Sequence, residues 1–524
     1  MTVERADRPG VALAVIGLSL LATLGIYGLL EPTETRYAEI AREMRVSGDW
    51  LRPRLDGLSH FHKPPLAYWA TALGMSALGD EATGARLAVA LASIVLLASV
   101  GLTARRRRFG VTPGVAIWVL GTMLLFVTLG RALASDPFLA AAVGAYWALA
   151  PSSWAIAALG VGFLAKGPVV FVHTALPVLL VALWRRDRGV LEWLGPPRGW
   201  LWFGAIGLPW YLMMALRTPG LLSYLLGNQV WERFATTEHQ RGGPPWYFLG
   251  VMALGTLPWT AALVAGIART WRERRNPEAQ LLLSWLVAPV VFLSFSGSKL
   301  PAYVLPCLPA AALLAARGIE ARVARRITAL VPVVAILAIL VTALPPGSAW
   351  LGWLLGHEPR LPGSIALPGA IGAMAFGLAA LWLARARPER AGPPLTLAYS
   401  ALLVALSPHD AALGSPRQVV RVLAESRGPG EPVVEIADFN AGLPFYLRET
   451  VRLLEVPREP AFDDPARVRA VLVTRDSLAE FSRRHPRVWT FGPEARCGEI
   501  AATLGLRYTV VARWRKDALG FVAR

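Results

Sequence analysis

The chain has 524 residues; 55% are hydrophobic, 17% are charged, and the mean hydropathy is +0.46. Soluble domains carry about 25% charged residues, so the composition excludes an ordinary soluble enzyme and describes a membrane protein, whose 20 Trp residues suit two water–bilayer interfaces. The net charge of +18 falls in short basic clusters between apolar runs, the pattern of a cytoplasmic membrane face and anionic headgroups rather than of a nucleic-acid surface.

A spanning helix needs about 20 apolar residues. Apolar runs lie at 11–30, 84–104, 113–130, 137–150, 152–165, 168–184, 198–216, 247–268, 279–297, 300–316, 327–345, 364–384 and 394–406. The first is read as an uncleaved span, because no small-residue cleavage site follows it. The run 64–79 is short and bounded by charge and proline. The basic clusters are Arg105–Arg108, Arg185-Arg186 with Arg188, Arg272 with Arg274-Arg275, Arg317 through Arg326, and Arg385 through Arg390. All of them share the cytoplasmic side only if 64–79 lies flat at the interface. This arrangement predicts thirteen spans, with the N-terminus inside and the C-terminus outside. Segments 31–80, 131–136, 217–246, 297–300 and 346–363, the turn at Lys166 and everything after about 407 then share the outer face.

The polar segments carry the candidate chemistry. Residues 31–69 hold acids, arginines, histidines and Lys63 at a density that is costly beside a membrane unless it does chemistry or binds a charged ligand. Glu34, Arg36, Glu39, Arg42 and Glu43 occupy a predicted helix with Thr33 as its N-cap. Glu39 lies three residues from both Arg36 and Arg42, so ion pairs on a solvated face are the plain reading. His60, His62 and Lys63 precede Pro64-Pro65; Lys63 either holds a phosphate as a point charge or snorkels at the bilayer edge. Arg131 and Asp136 frame RALASDP, where Asp136 is an N-cap, an active-site carboxylate, or both. Lys166 in GFLAKGPVV marks a tight turn and either snorkels or meets an anionic headgroup. In the loop 217–246, Arg233, Glu238, His239 and Arg241 stand out, and Glu238 and His239 are residue types that bind a divalent metal. Ser296, Ser298, Lys299 and Tyr303 in SGSKLPAYVLP are suited to an anion-binding rim.

After residue 407, EPVVEIADF, VRLLEV and RAVLVT read as strands, and VRVLAES and DSLAEFSRRH as helices. They predict a small α/β domain over 407–524, next to a transmembrane domain over 1–406. Cys307 and Cys497, the only cysteines, predict no disulfide framework. The chain has no Gly-rich phosphate loop and no HExxH motif.

The segments ETRYAEIAREM, SGDW, KPPLAYW, RALASDP, GFLAKGPV, PWY, TTEHQRGGPPWYF, LPW and SGSKLPAYVLP occur in order between roughly residues 11 and 320. Together they resemble membrane glycosyltransferases of the GT-C type, above all the bacterial lipid A 4-amino-4-deoxy-L-arabinose transferases, relatives of the protein O-mannosyltransferases. The tail resembles that family only in layout. The resemblance implies a polytopic α-helical membrane protein of about thirteen transmembrane helices, interfacial helices in the first outer loop, and a C-terminal small α/β soluble domain. It implies an inverting transfer of a sugar from a polyprenyl-phosphate donor to a lipid A-like, glycan or protein acceptor at the outer face of the inner membrane. Arg36, Lys63, Lys166, Lys299 and Tyr303 are then candidates for holding the donor phosphate. Some relatives bind a divalent metal ion, and Glu238 and His239 lie in the matching loop. The family usually has Asp-Glu where this chain has Thr33-Glu34, and that aspartate is the family's catalytic candidate. Catalysis here falls to Glu34 or to Asp136, or activity is altered or lost. The rival classes are a lipid transporter or flippase and a silent lipid-binding relative. A transporter fits less well, since the ionisable residues gather at one face and no half repeats the other.

Overall fold

The structure, a computed structural model, describes residues 8–107, 109–227, 243–319, 388–457 and 462–524, with isolated positions between 321 and 379. It divides into two compact units, residues 1–26, 62–67 and 86–407, and residues 27–61, 68–85 and 408–524.

The first unit is helical. Among the described residues, four helical stretches are long and apolar enough to cross a bilayer: Ala82–Arg106, Pro277–Ser294, Pro301–Gly318 and Glu389–Leu413. Two bent pairs raise this to six. Gly199–Gly207 meets Pro209–Arg217 at 40°, and Tyr247–Gly255 meets Thr260–Arg272 at 110°. Proline stands at both breaks, Pro209 and Pro258, where its missing N–H and its ring interrupt the ladder. Other expected spans are also divided. The run 113–130 is split into Pro113–Thr122 and Leu124–Leu129 by the extended Met123, and 168–184 into Val169–His173 and Ala175–Arg185 at Thr174. The runs 137–150 and 152–165 are the helices Asp136–Leu149 and Ser153–Lys166, 14 residues each. The run 64–79 is the helix Leu66–Leu78, most of which belongs to the second unit and whose 13 residues reach about 20 Å, short of the roughly 30 Å hydrocarbon core. The expected spans 327–345 and 364–384 fall almost wholly outside the described residues.

Small residues set the closest helix contact. A Cβ on Gly266 would lie 1.7 Å from the Leu314 carbonyl oxygen, and one on Gly318 would lie 2.0 Å from the Ala262 carbonyl oxygen. Helices Thr260–Arg272 and Leu308–Gly318 therefore touch backbone to backbone, an approach that apolar helices achieve with glycine.

The second unit is built on a six-stranded mixed sheet in the order Leu472–Val473, Arg452–Leu454, Val433–Ile436, Val488–Pro493, Asp517–Ala523 and Arg507–Trp514. The first four strands run parallel, with Val434 opposite both Arg452 and Thr490, and the last two pairings are antiparallel. Every residue of Val433–Ile436 is buried, as a central parallel strand covered on both faces requires. On one face Val419, Leu423, Trp489, Phe491 and Trp514 pack with Leu58 from the first polar segment; on the other, Leu478, Cys497, Ile500 and Val522 pack together. The segments 431–439, 451–456 and 469–474 contain the three strands expected of them. The strands at 488–493, 507–514 and 517–523 and the helix Glu494–Thr503 were not among the expected elements.

Residues 27–61 are tied into the same unit. The Gly28 N–H donates to Asp410 Oδ2 at 3.0 Å, the Glu31 N–H to the Gly414 carbonyl at 2.9 Å, and the Val451 N–H to Asp56 Oδ1 at 2.9 Å. Ser59 donates through both its N–H and its hydroxyl to Asp463, each at 2.8 Å. The first polar segment and the tail are thus parts of one folded body.

Candidate functional site

Two helices of equal length form one corner of the first unit. Asp136 opens Asp136–Leu149, and Lys166 closes Ser153–Lys166 after a turn at 150–152. Because the helices match in length and the turn reverses the chain, the first residue of one returns beside the last residue of the other. Lys166 Nζ forms an ion pair with Asp136 Oδ1, and the two side chains are 10% and 12% exposed. Each charge suits its helix end, an acid at an N-terminus and a cation at a C-terminus. Gly167, at φ +74, ends the second helix, a conformation that glycine adopts at little cost. Asp136 does not act as the N-cap: Ser135 holds that position, and no side chain caps this helix.

Tyr303 completes the corner. It lies on the 3₁₀ segment Pro301–Cys307, and Lys166 Nζ sits 4.5 Å from its ring centroid, within cation–π range. Phe248 also stacks with Tyr303, with centroids 6.5 Å apart. Lys299 precedes this segment and donates to the Ser296 carbonyl at 2.7 Å, while Ser296 Oγ donates to the Ser298 carbonyl at 3.1 Å. Behind Tyr303, Cys307 Sγ lies 3.6 Å from His173 Nδ1, joining the segment after Lys166 to the segment bearing Tyr303. The sequence reading did not single out this buried contact; a histidine inside an apolar run was its one available signal. Arg131 donates to Thr23 and to Ser19 Oγ, the latter at 3.1 Å. Lys63 belongs to the same unit and is half-buried beside the buried Pro64-Pro65.

Glu34 and Arg36 belong to the second unit, on the helix Glu34–Ser47. Thr33 does not cap this helix as expected; its backbone is already helical and its side chain makes no cap bond. The buried Glu34 carboxylate takes over the start of the helix, accepting the Leu30 N–H at 3.0 Å. Arg36 donates to the Pro32 carbonyl at 3.0 Å and makes no bond to Glu39. The expected solvated ion-pair face is corrected as well. Glu39 and Arg42 do pair, through two bonds of 2.6 and 2.7 Å, but Glu39 is fully buried and Arg42 nearly so. Burial pushes the Glu39 carboxyl up against the opposing effect of Arg42. Glu43 accepts the Gly57 N–H at 3.1 Å, and burial raises its carboxyl too.

Glu31 is a residue the sequence reading passed over. Its Oε1 accepts the Gly442 N–H at 2.6 Å. Burial pushes its carboxyl up to about 7, opposed by the Gly442 amide and the nearby Arg36 charge. The signal available was an acid immediately before proline, two residues from Thr33. Glu238 and His239 lie outside the described residues, as do Arg233 and Arg241. Among the described residues no three His, Cys, Asp or Glu side chains group as metal ligands.

The fold agrees with the comparisons. Residues 21–225 match the family described as dolichyl-phosphate-mannose-protein mannosyltransferase. An undecaprenyl phosphate-α-4-amino-4-deoxy-L-arabinose arabinosyl transferase of Sodalis glossinidius is 35% identical over 332 residues, 59% of each chain. One from Yersinia enterocolitica is 31% identical over 390 residues, 67% of this chain and 68% of the relative. The crystal structure of ArnT from Cupriavidus metallidurans bound to undecaprenyl phosphate superimposes with a TM-score of 0.82 at 25% identity, covering 98% of this chain and 97% of that one. The class is therefore a multi-pass membrane protein with the GT-C fold. The chain belongs to the family of the undecaprenyl phosphate-aminoarabinose arabinosyl transferases. It spans 59% of the length of the Sodalis relative.

Proposed function

We propose that this protein is a glycosyltransferase that moves a sugar from an undecaprenyl-phosphate donor to a lipid A-like acceptor at the outer face of the inner membrane. The reading includes about thirteen spans, with residues 407–524 on the side of the active centre. Support comes from the family and from the placement of the basic clusters in the sequence. The single observation that carries the reading is the corner where Asp136, Lys166 and Tyr303 converge from three separate segments, next to Lys299.

The chemistry follows from charge. The acceptor oxygen attacks C1 of the sugar, the bond from C1 to the donor phosphate oxygen breaks, and the phosphate leaves with one more negative charge. That charge needs fixed cations. Asp136 neutralises Lys166 and holds it over Tyr303, so the pair acts as an oriented dipole rather than as a net charge. Lys299 spends one of its three N–H donors on Ser296 and supplies the net positive charge. Lys63 and Arg36 are further phosphate-binding candidates. A hydroxyl acceptor needs a base to take its proton, typically worth about 10²- to 10⁴-fold, and Glu34 and Asp136 are the candidates. A phosphate acceptor is already anionic and needs no base, which makes Thr33 in place of the family's aspartate tolerable. A divalent ion at Glu238 and His239 belongs to the same proposal, and no step above passes through it.

The test is to incubate the purified full chain with labelled undecaprenyl-phosphate sugar and lipid A. Labelled lipid A together with free undecaprenyl phosphate is the expected result. Donor crossing a liposome membrane with its sugar bond intact identifies a transporter and overturns the proposal. Binding without cleavage overturns it in favour of a silent relative.

A further inference from the structure

A cavity lies in the helical unit, with no residue in common with the Asp136 corner. It has a volume of about 660 Å³ and is lined by Pro151, Ser152, Ser153, Trp154, Glu192 and the segment Gly195–Arg198. That volume is within the range of small-ligand sites. Its walls are fixed from behind. Arg107 donates to the Ala150 carbonyl and lies 4.0 Å over the Trp193 ring, while the Tyr146 hydroxyl donates to the Trp193 carbonyl at 2.7 Å. Gly199 brings the 192–198 loop so near that a Cβ there would sit 3.1 Å from the Ser153 Cα.

Two charges of opposite sign line this cavity without pairing with each other. Both side chains are exposed to solvent, and among the described residues neither the Glu192 carboxylate nor the Arg198 guanidinium forms an ion pair. Ser152 accepts the Ala155 N–H and keeps its hydroxyl proton to donate, and Ser153 adds a second hydroxyl. The rim is aromatic and exposed. Trp154 is 66% exposed and stacks on Trp202 at 6.0 Å, and Leu201, adjacent to Trp202 in the sequence, is exposed. Exposed indoles mark the plane where bilayer meets water. The exposed Arg186 and Arg188 place this end on the side of the basic clusters.

We propose that the cavity binds the headgroup of a phospholipid with a primary ammonium, phosphoethanolamine in type, from the leaflet on the side of Arg185, Arg186 and Arg188. Arg198 and the two serine hydroxyls take the phosphate. Glu192 takes the ammonium, and the acyl chains run along Trp154 and Trp202. A phosphoglycerol headgroup offers Glu192 neutral hydroxyls in place of a cation. A trimethylated headgroup offers Glu192 no N–H.

The experiment is native mass spectrometry of the full chain in detergent with phosphatidylethanolamine, phosphatidylglycerol or phosphatidylcholine added at equal concentration. The wild type retains phosphatidylethanolamine about tenfold better than either of the others, the ratio that one charge-assisted hydrogen bond supplies. Arg198→Ala loses both phosphatidylethanolamine and phosphatidylglycerol. Glu192→Gln loses only the preference, bringing phosphatidylethanolamine down to the level of phosphatidylglycerol. Equal retention of the three lipids by the wild type, or unchanged retention by both variants, overturns the proposal.

Discussion

Replacing Lys166 with Met keeps the length and apolar stem of the side chain and removes its charge. Asp136 then remains at the end of two apolar helices, 12% exposed, with its ion-pair partner gone. Breaking a buried pair from one side costs about 3–5 kcal/mol, and the slight exposure here places the loss near ~3 kcal/mol. Asp136→Asn leaves the ammonium over Tyr303 and costs a similar amount. The double variant removes both charges; with a coupling of about 2–3 kcal/mol it should lie about 3–4 kcal/mol below wild type, close to either single variant rather than at their sum of ~6 kcal/mol. Activity should not follow stability. If Lys166 serves the leaving phosphate, transfer falls about 10²- to 10³-fold in Lys166→Met and stays down in the double variant. Chemical unfolding followed by Trp fluorescence gives the first quantity, and release of undecaprenyl phosphate at saturating and limiting donor gives the second. Transfer in Lys166→Met within roughly threefold of wild type, despite the loss of stability, would show that the pair only holds two helices together.

Four further outcomes are expected. Glu34→Gln and Asp136→Asn should not both keep full transfer; full rates in both remove carboxylate catalysis, whereas Thr33→Asp should raise the rate with a hydroxyl acceptor and leave it unchanged with a phosphate acceptor. Glu31 binds its proton more tightly folded than unfolded, since its carboxyl is raised from 4.5 to about 7; stability therefore falls as pH rises through this window and levels off above it, and Glu31→Gln should melt higher than wild type at pH 8 by roughly 1–2 kcal/mol and equally at pH 4. Gly266→Ala forces backbone apart and should cost at least roughly 1–3 kcal/mol, while Gly250→Ala, with nothing within 4 Å, should be neutral or stabilising in the same unfolding assay. Chelation should slow transfer, and added divalent metal should restore it in the wild type but not in His239→Ala; an undiminished rate in chelator removes the metal from the reaction.

The helical character of the apolar runs among the described residues, and several residues of the Asp136 corner, were legible because apolar length and isolated charge are local signals. Lys166 stood out as one cation between two apolar runs, and Asp136 as the acid opening the next. Their partnership was not legible, since it depends on two helices having 14 residues each and on a turn that reverses the chain. Breaks at Met123 and Thr174 carry no proline and left no mark in the apolar pattern. The union of residues 27–61 with the tail was equally hidden. Asp410 meets Gly28 across 382 positions and Asp463 meets Ser59 across 404, through backbone amides that no residue pattern announces. The strand Arg507–Trp514 alternates in burial, yet its facing partner, Asp517–Ala523, is buried along most of its length and broken by Gly520, so the pair lacks the uniform alternation that marks a hairpin.

The use that the chain makes of its acids bears on which of them remain for catalysis. A helix start leaves several N–H groups without helical partners. With Thr33 making no cap bond, Glu34 turns back to the Leu30 amide, and its carboxylate becomes part of the structure of the segment. Glu39 is held by Arg42, Glu43 by the Gly57 amide and Asp56 by the Val451 amide. Each of these acids is held by a backbone amide or a guanidinium, and removing one leaves a buried donor unsatisfied at about 1–3 kcal/mol. A rate loss in Glu34→Gln therefore has two readings that a single rate does not separate. Gln keeps an oxygen to accept the Leu30 N–H, whereas Glu34→Ala does not. If Glu34 is a base, Gln and Ala are equally slow and only Ala is unstable. If Glu34 is an anchor, Gln is both stable and active, and Asp136 is left as the remaining carboxylate candidate.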